Sequence, residues 1–258
     1  MKRLRGSRMA IPSIWTIPFT GALAAILISI GVLFVVFDAS LVHLVRQQPA
    51  NVSAFFGTIT DFGKTGWILS LAFLALAILF LADWRRLSTR AQLWFSALCF
   101  DLMFLIWSIA GSGVSASLIK NTIGRARPKW LDELGPHHFN FGAIQGDFAS
   151  FPSGHSTTYG ALAMVGILRF PRLWPLFAVM GILGGASRVS VGAHYPSDVI
   201  AGLLFGAMFV LLSARWLAER NGGFRVQNNG SVLPVRQLRL RPTGAGPSLV
   251  QELSGALK

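Results

Sequence analysis

Residues 91–119 read AQLWFSALCFDLMFLIWSIAGSGVSASLI, an apolar run with a single ionisable carboxylate, Asp101. A helix needs about 20 mostly apolar residues to cross the hydrocarbon of a bilayer, so this stretch is long enough to span one. The chain turns basic directly after it, with Lys120, Arg125 and Arg127 ahead of Pro128. Cations gather where a membrane helix meets water, and proline ends a helix.

Five further segments read the same way, at about 14–37, 66–83, 154–170, 173–190 and 197–218. Composition agrees: 53% of the 258 residues are hydrophobic and only 13% are charged, against about 25% charged in a soluble domain. The mean hydropathy is +0.56. A disulfide scaffold is excluded, since Cys99 is the single cysteine. The expected fold is all-α: a polytopic membrane protein with six transmembrane helices over residues 1–218. Residues 219–258 are polar, basic and rich in Gly and Pro, and are expected to be disordered or to lie on an anionic membrane surface.

The net charge of +13 flanks the apolar segments instead of forming a basic face, so it reports topology and argues against a nucleic-acid partner. With the N-terminus in the cytoplasm, 16 Lys and Arg fall inside and seven outside. Lys2, Arg3, Arg5 and Arg8 precede the first segment, which reads as a retained anchor because no small-residue cleavage site follows it. Two long connections, about 38–65 and 120–153, then face outward.

Three clusters put ionisable groups at that outer face. Lys120 and Arg127 bracket the stretch that ends in Pro128; seven residues apart, they share one face if the helix persists that far. Pro152-Ser153-Gly154-His155 precedes an apolar run, so Ser153, Gly154 and His155 fall at a helix N-terminus, where free N–H groups favour phosphate. Ser187-Arg188 and then His194, Pro196 and Asp198 lead into the last segment, at a spacing that suits a carboxylate holding an imidazole in one tautomer. Two histidines, one aspartate and three cations beside a helix start describe a site for a dianionic phosphate.

These clusters resemble the signature of the type 2 phosphatidic acid phosphatase superfamily: Lys-x6-Arg-Pro, Pro-Ser-Gly-His, and Ser-Arg-x5-His-x3-Asp. All eleven specified positions are present in order. The resemblance implies that His194 is the nucleophile and forms a phosphohistidine, that Asp198 orients its imidazole, and that His155 protonates the leaving oxygen and then activates water. It implies further that Lys120, Arg127 and Arg188 hold the phosphoryl oxygens, with Ser153 and Gly154 completing the cradle. No cofactor and no metal are implied. The expected activity is hydrolysis of a lipid phosphate at the outer face of a bacterial inner membrane, with both termini cytoplasmic. Phosphatidylglycerol phosphate, phosphatidic acid, undecaprenyl diphosphate and lipid A 1-phosphate all remain open as substrates.

Other readings carry less. A lipid phosphotransferase would use the same phosphohistidine, and a vanadium-dependent haloperoxidase fits poorly with six membrane spans. A transporter or non-catalytic lipid-binding protein would spread its charges through the bilayer, whereas here they gather at one surface. Among the remaining groups, Arg125 and Lys129 are expected to be interfacial anchors. His43, His137 and His138 read as ordinary polar groups, Asp101 as half of a structural pair, and Asp132, Glu133 and Asp147 as loop acids.

Overall fold

The computed structural model describes residues 17–142, 146–227 and 230–235. Its helices, in chain order, are α1 (Ile17–Val32), α2 (Asp38–Arg46), α3 (Ala50–Phe62), α4 (Thr65–Leu81), α5 (Thr89–Ile123), α6 (Leu131–Leu134), α7 (Gly154–Arg169), α8 (Trp174–Ser190) and α9 (Pro196–Glu219). A π-helical stretch, Leu33–Phe37, joins α1 to α2. Two strands, β1 (Phe224–Val226) and β2 (Val232–Pro234), pair antiparallel after α9. The basic residues Lys2, Arg3, Arg5 and Arg8 and the tail from 236 onward lie outside the described residues.

The bundle is apolar outside and hydroxyl-rich inside. Phe80 and Leu81 are 68% and 84% exposed, while Ser108, Ser112, Thr157 and Ser187 are fully buried. With lipid as solvent, large apolar side chains gain nothing by hiding, and small residues let helices approach closely. Ser112, Thr157 and Ser187 bond within their own stretches of helix, as in Ser112 Oγ to Ser108 O (2.6 Å) and Thr157 Oγ1 to Ser153 O (2.9 Å), whereas Ser108 Oγ is buried without a partner among the described residues.

At the centre stands α7, packed against α9, α8 and α5. Two glycines set its distance from α9: a Cβ at Gly160 would overlap the Leu203 carbonyl, and one at Gly206 the Thr157 carbonyl. This close crossing carries the starts of α7 and α9 to the same end of the bundle. Ser153 N donates to Asp198 O there, at 3.1 Å.

Five helical stretches among the described residues are long and apolar enough to cross a membrane: Leu23–Arg46, Ala50–Leu81, Thr89–Ile123, Pro171–Ser190 and Pro196–Glu219. The sixth expected segment is α7, whose 16 residues fall short of that length. At 1.5 Å per residue it reaches about 24 Å, and its neighbours enclose it.

Residues 38–65, expected as an outer connection, are largely the helices α2 and α3 instead. Asp38, Asp61 and Lys64 interrupt the hydropathy of this region, yet each charge is paired: Asp38 with Arg125 at 2.8 Å, and Asp61 with Lys64 at 2.8 Å. Asp38 opens α2 as a buried, paired carboxylate, and the exposed Asp61–Lys64 pair stands at the break between α3 and α4.

The segment after α9 also departs from expectation in its first part. Phe224 is buried against Phe104 and Phe100, with ring centroids 4.8 and 5.8 Å away. A lone hairpin is marginal in water. This one is held by an aromatic cluster at the end of the bundle where Arg169 pairs with Asp101 at 2.7 Å.

Candidate active site

Backbone caps place the site. Gly124 ends α5 in the left-handed region (φ 64°), its N–H donating to Lys120 O at 2.9 Å; glycine adopts this conformation at little cost. The helix therefore stops before Arg127, and the seven-residue spacing from Lys120 is not two turns of one helix. Residues 125–127 run beneath the connection that leads to α7, with Ala126 N donating to His138 O (3.0 Å) and Arg127 N to Asp147 O (3.0 Å). Arg46 fastens the same loop through Asp132 (2.6 Å) and Pro128 O (2.9 Å).

Ser153 caps α7, its Oγ accepting from Ser156 Oγ (2.9 Å) and Ser156 N (3.4 Å). Accepting twice, Ser153 keeps its own hydroxyl hydrogen to give. Gly154 and His155 occupy the first turn, where N–H groups have no acceptor within the helix. A Cβ on Gly154 would lie 2.9 Å from Lys120 Nζ, so the missing side chain is what lets the ammonium approach this helix start.

His194 lies in the bend between α8 and α9 and is 2% exposed. Its Nδ1 is 2.9 Å from Ser150 O and 3.7 Å from Asp198 Oδ2. A carbonyl oxygen only accepts, so Nδ1 carries the proton and Nε2 the free lone pair. Burial pushes the His194 imidazole below its ordinary value, with the Asp198 carboxylate opposing. The ring is therefore neutral and nucleophilic near neutral pH.

Asp198 is fully buried and, apart from bonding within α9, accepts four hydrogen bonds: from Ser150 Oγ (2.6 Å) and Tyr195 N (3.0 Å) on Oδ2, and from Arg125 (2.5 Å) on Oδ1.

 
The fourth comes from Ser153 N to its main-chain oxygen, at 3.1 Å, and ties the two helix starts together.

The three expected cations converge on this corner. Arg188 is 9% exposed; its NH1 donates to Thr60 Oγ1 at 2.6 Å, while its Nε is buried without an acceptor. Arg127 spends its Nε on Gly146 O at 2.7 Å. Among the described residues, none of Lys120, Arg127 and Arg188 has a carboxylate within ion-pair distance, although all three lie close enough to act on one another electrostatically. Three unneutralised cations and an orphaned guanidinium N–H fit an incoming dianion.

Sequence reasoning missed several residues here. Arg125, expected to be an interfacial anchor, is fully buried and bridges Asp198 to Asp38. A guanidinium between two carboxylates has no reason to reach for water. Ser150 and Thr60, which hold His194 and Arg188, carry no signal in the linear sequence. Asp38 did: it is a lone carboxylate at the end of an apolar run. Lys129, expected to be an interfacial anchor, is paired to Asp147 at 2.6 Å beside Arg127, and His137 is bonded to Phe34 O at 2.8 Å.

The description of the PAP2 superfamily, the phosphatase superfamily that the motifs resemble, matches residues 101–222. The lipid A 1-phosphatase of Rhizobium johnstonii is 36% identical over 92% of this chain and 96% of its own length. That of Rhizobium etli is 38% identical over 74% of this chain and 82% of its own. Among solved structures, the transmembrane PAP2-type phosphatidylglycerolphosphate phosphatase of Bacillus subtilis superposes with a TM-score of 0.52, at 18% identity, over 76% of this chain and 96% of that one. That likeness supports the shared fold.

Proposed function

Because the chain belongs to the PAP2 superfamily, we propose that it removes the 1-phosphate of lipid A through a phosphohistidine on His194. The observation that carries this reading is the similarity to a lipid A 1-phosphatase along 92% of this chain and 96% of that relative. A large amphiphile is recognised by the whole bundle, so similarity along the whole bundle bears on substrate more than the shared motifs do.

The site residues account for each step. Nε2 of His194 attacks phosphorus while the bond to the sugar oxygen breaks, and His155 gives that oxygen its proton. Water then attacks the phosphohistidine, His155 takes a proton from it, and inorganic phosphate leaves. Lys120, Arg127 and Arg188, with the Ser153 hydroxyl and the Gly154 N–H, compensate charge on the oxygens that do not react. Phosphoryl transfer depends mainly on such positioning and charge compensation, and this chemistry requires neither metal nor cofactor.

The lipid tails stay in the membrane while the headgroup enters the polar corner. A notch of about 640 Å³ between α3 and α4, lined by Gly57, Asp61, Phe62 and Trp67 among others, opens beside it. Asp61 at its rim lies within electrostatic reach of His155 and Arg188. The site faces the periplasm of a bacterial inner membrane and both termini are cytoplasmic, a reading supported by the 16 to seven distribution of Lys and Arg. Residues 1–218 form the phosphatase domain, the hairpin of β1 and β2 packs on its end, and deletion of the tail beyond that hairpin is expected to leave turnover nearly intact.

The direct test is phosphate release by detergent-purified protein from lipid A, phosphatidylglycerol phosphate, phosphatidic acid and undecaprenyl diphosphate. Lipid A is expected to be turned over with the highest kcat/KM, and loss of its 1-phosphate is read by mass spectrometry. A higher kcat/KM on another member of the panel would reassign the substrate.

A further inference from the structure

Two charged residues outside the phosphate cradle are as deeply buried as the catalytic ones. Asp38, in the first turn of α2, is 1% exposed, and Arg125, just past α5, is 0% exposed. One side of the Arg125 guanidinium donates to Asp198 Oδ1 (2.5 Å) and Ser197 Oγ (2.8 Å), and the other to Asp38 Oδ2 (2.8 Å) and Pro136 O (3.0 Å). Its faces are covered by Phe34 and Tyr195, with ring centroids 4.6 and 4.1 Å from Cζ. Asp38 in turn accepts from Ser197 N (3.0 Å) and Ser197 Oγ (2.5 Å), so it caps the N-terminus of α9 from another helix.

A buried guanidinium needs one carboxylate for neutrality. Arg125 has two, and one of them is the carboxylate beside His194. The cluster of Asp38, Arg125 and Asp198 therefore sums to one net negative charge. That charge lies next to an imidazole that becomes cationic as its Nε2 bonds to phosphorus. The other charged or titratable groups facing His194 are His155 on α7, Arg188 on α8 and Arg127 after α5. The two arginines are fixed cations that oppose a cationic ring, which leaves the buried cluster to favour it.

We propose that Arg125 and Asp38 are positioning residues for phosphoryl transfer: Arg125 fixes the Asp198 carboxylate, and Asp38 anchors Arg125 to the start of α9 and keeps the cluster net negative. Both act on the reaction through Asp198 and His194, and neither touches substrate. The assignment rests on the phosphohistidine reading above.

The test measures kcat, KM and pH profile for phosphate release from lipid A by wild type, Asp38→Asn, Arg125→Lys, and each change combined with Asp198→Asn. Asp38→Asn is nearly isosteric and removes one negative charge. It is expected to lower kcat about tenfold with little change in KM, and to move the acid limb to lower pH, because a less negative cluster favours the neutral ring. Arg125→Lys keeps the charge and loses the fork, so kcat is expected to fall by about tenfold with the acid limb in place. In the Asp198→Asn background both losses should shrink to about twofold or less, since residues that act as a unit are not additive. Wild-type kcat and acid limb in Asp38→Asn and Arg125→Lys would overturn the proposal. So would losses repeated in full in the Asp198→Asn background, which mark a role independent of Asp198. Should Asp38→Asn fail to fold, Arg125→Lys and its double variant decide the matter. If wild type releases no phosphate from lipid A, the same comparison is made on whichever lipid of the panel it turns over; release from none of them overturns the phosphatase reading, and this proposal with it.

Discussion

Nδ1 of His194 lies 2.9 Å from the carbonyl oxygen of Ser150, nearer than the 3.7 Å that separates it from the Asp198 carboxylate. The tautomer is thus held by a main-chain acceptor, and Asp198 acts alongside it through charge and through Ser150 Oγ, which it accepts at 2.6 Å. No single side-chain substitution removes the Ser150 carbonyl. Asp198→Asn is therefore expected to leave Nδ1 protonated and Nε2 free. The variant should keep a measurable fraction of activity, falling about 10²-fold in kcat as charge stabilisation is lost.

The pH dependence of that variant has a defined sign. Burial lowers the pKa of His194 and Asp198 raises it, so replacing Asp198 by Asn lowers it further and extends the neutral ring to lower pH. The acid limb of kcat/KM should shift toward acid relative to wild type. Ionisation of the substrate is common to both proteins and cancels in the comparison. An acid limb displaced toward neutral pH would contradict this assignment.

The cradle predicts a graded loss. Lys120→Met and Arg188→Met each remove one of three cations facing the phosphate, and each should lower kcat/KM by about 10²–10³-fold. Inhibition by vanadate, which mimics five-coordinate phosphorus, should weaken in parallel. Turnover should survive EDTA, which can be checked in the same assay.

The two histidines should fail differently. His155→Ala loses leaving-group protonation and water activation, worth roughly 10²–10⁴-fold per proton-transfer role, and is expected to suffer less on a nitrophenyl phosphate than on a sugar phosphate. Any phosphoenzyme that it forms should accumulate, because hydrolysis also needs the base.

Orientation is testable in intact cells. With Cys99 replaced, a cysteine introduced at position 140 should react with an impermeant thiol reagent and one at position 240 should not. The reverse pattern would put the site in the cytoplasm.

Much of this was legible in the chain. The apolar run 91–119 announces a membrane helix, and the three motifs name the residues that gather at one end of the bundle. What the sequence hid is mostly compensation in space. Asp38 and Arg125 each look like a boundary residue when read in a linear window, and they cancel only when α2 and the segment after α5 meet. Ser150 was invisible because its contribution to His194 is a backbone carbonyl, which every residue has. The hairpin after α9 was masked by the basic, Gly-rich composition around Phe224, whose burial depends on Phe100 and Phe104 from a distant helix.

The central claim is that His194 carries the phosphoryl group, and trapping the intermediate tests it most directly. Purified wild type, His155→Ala and His194→Ala are each mixed with lipid A bearing radioactive phosphate at position 1, quenched, and assayed for protein-bound label. The account predicts an acid-labile, base-stable label on wild type, more of it on His155→Ala if that variant is phosphorylated, and none on His194→Ala. Label that persists on His194→Ala and vanishes from His155→Ala would contradict it by reversing the two roles.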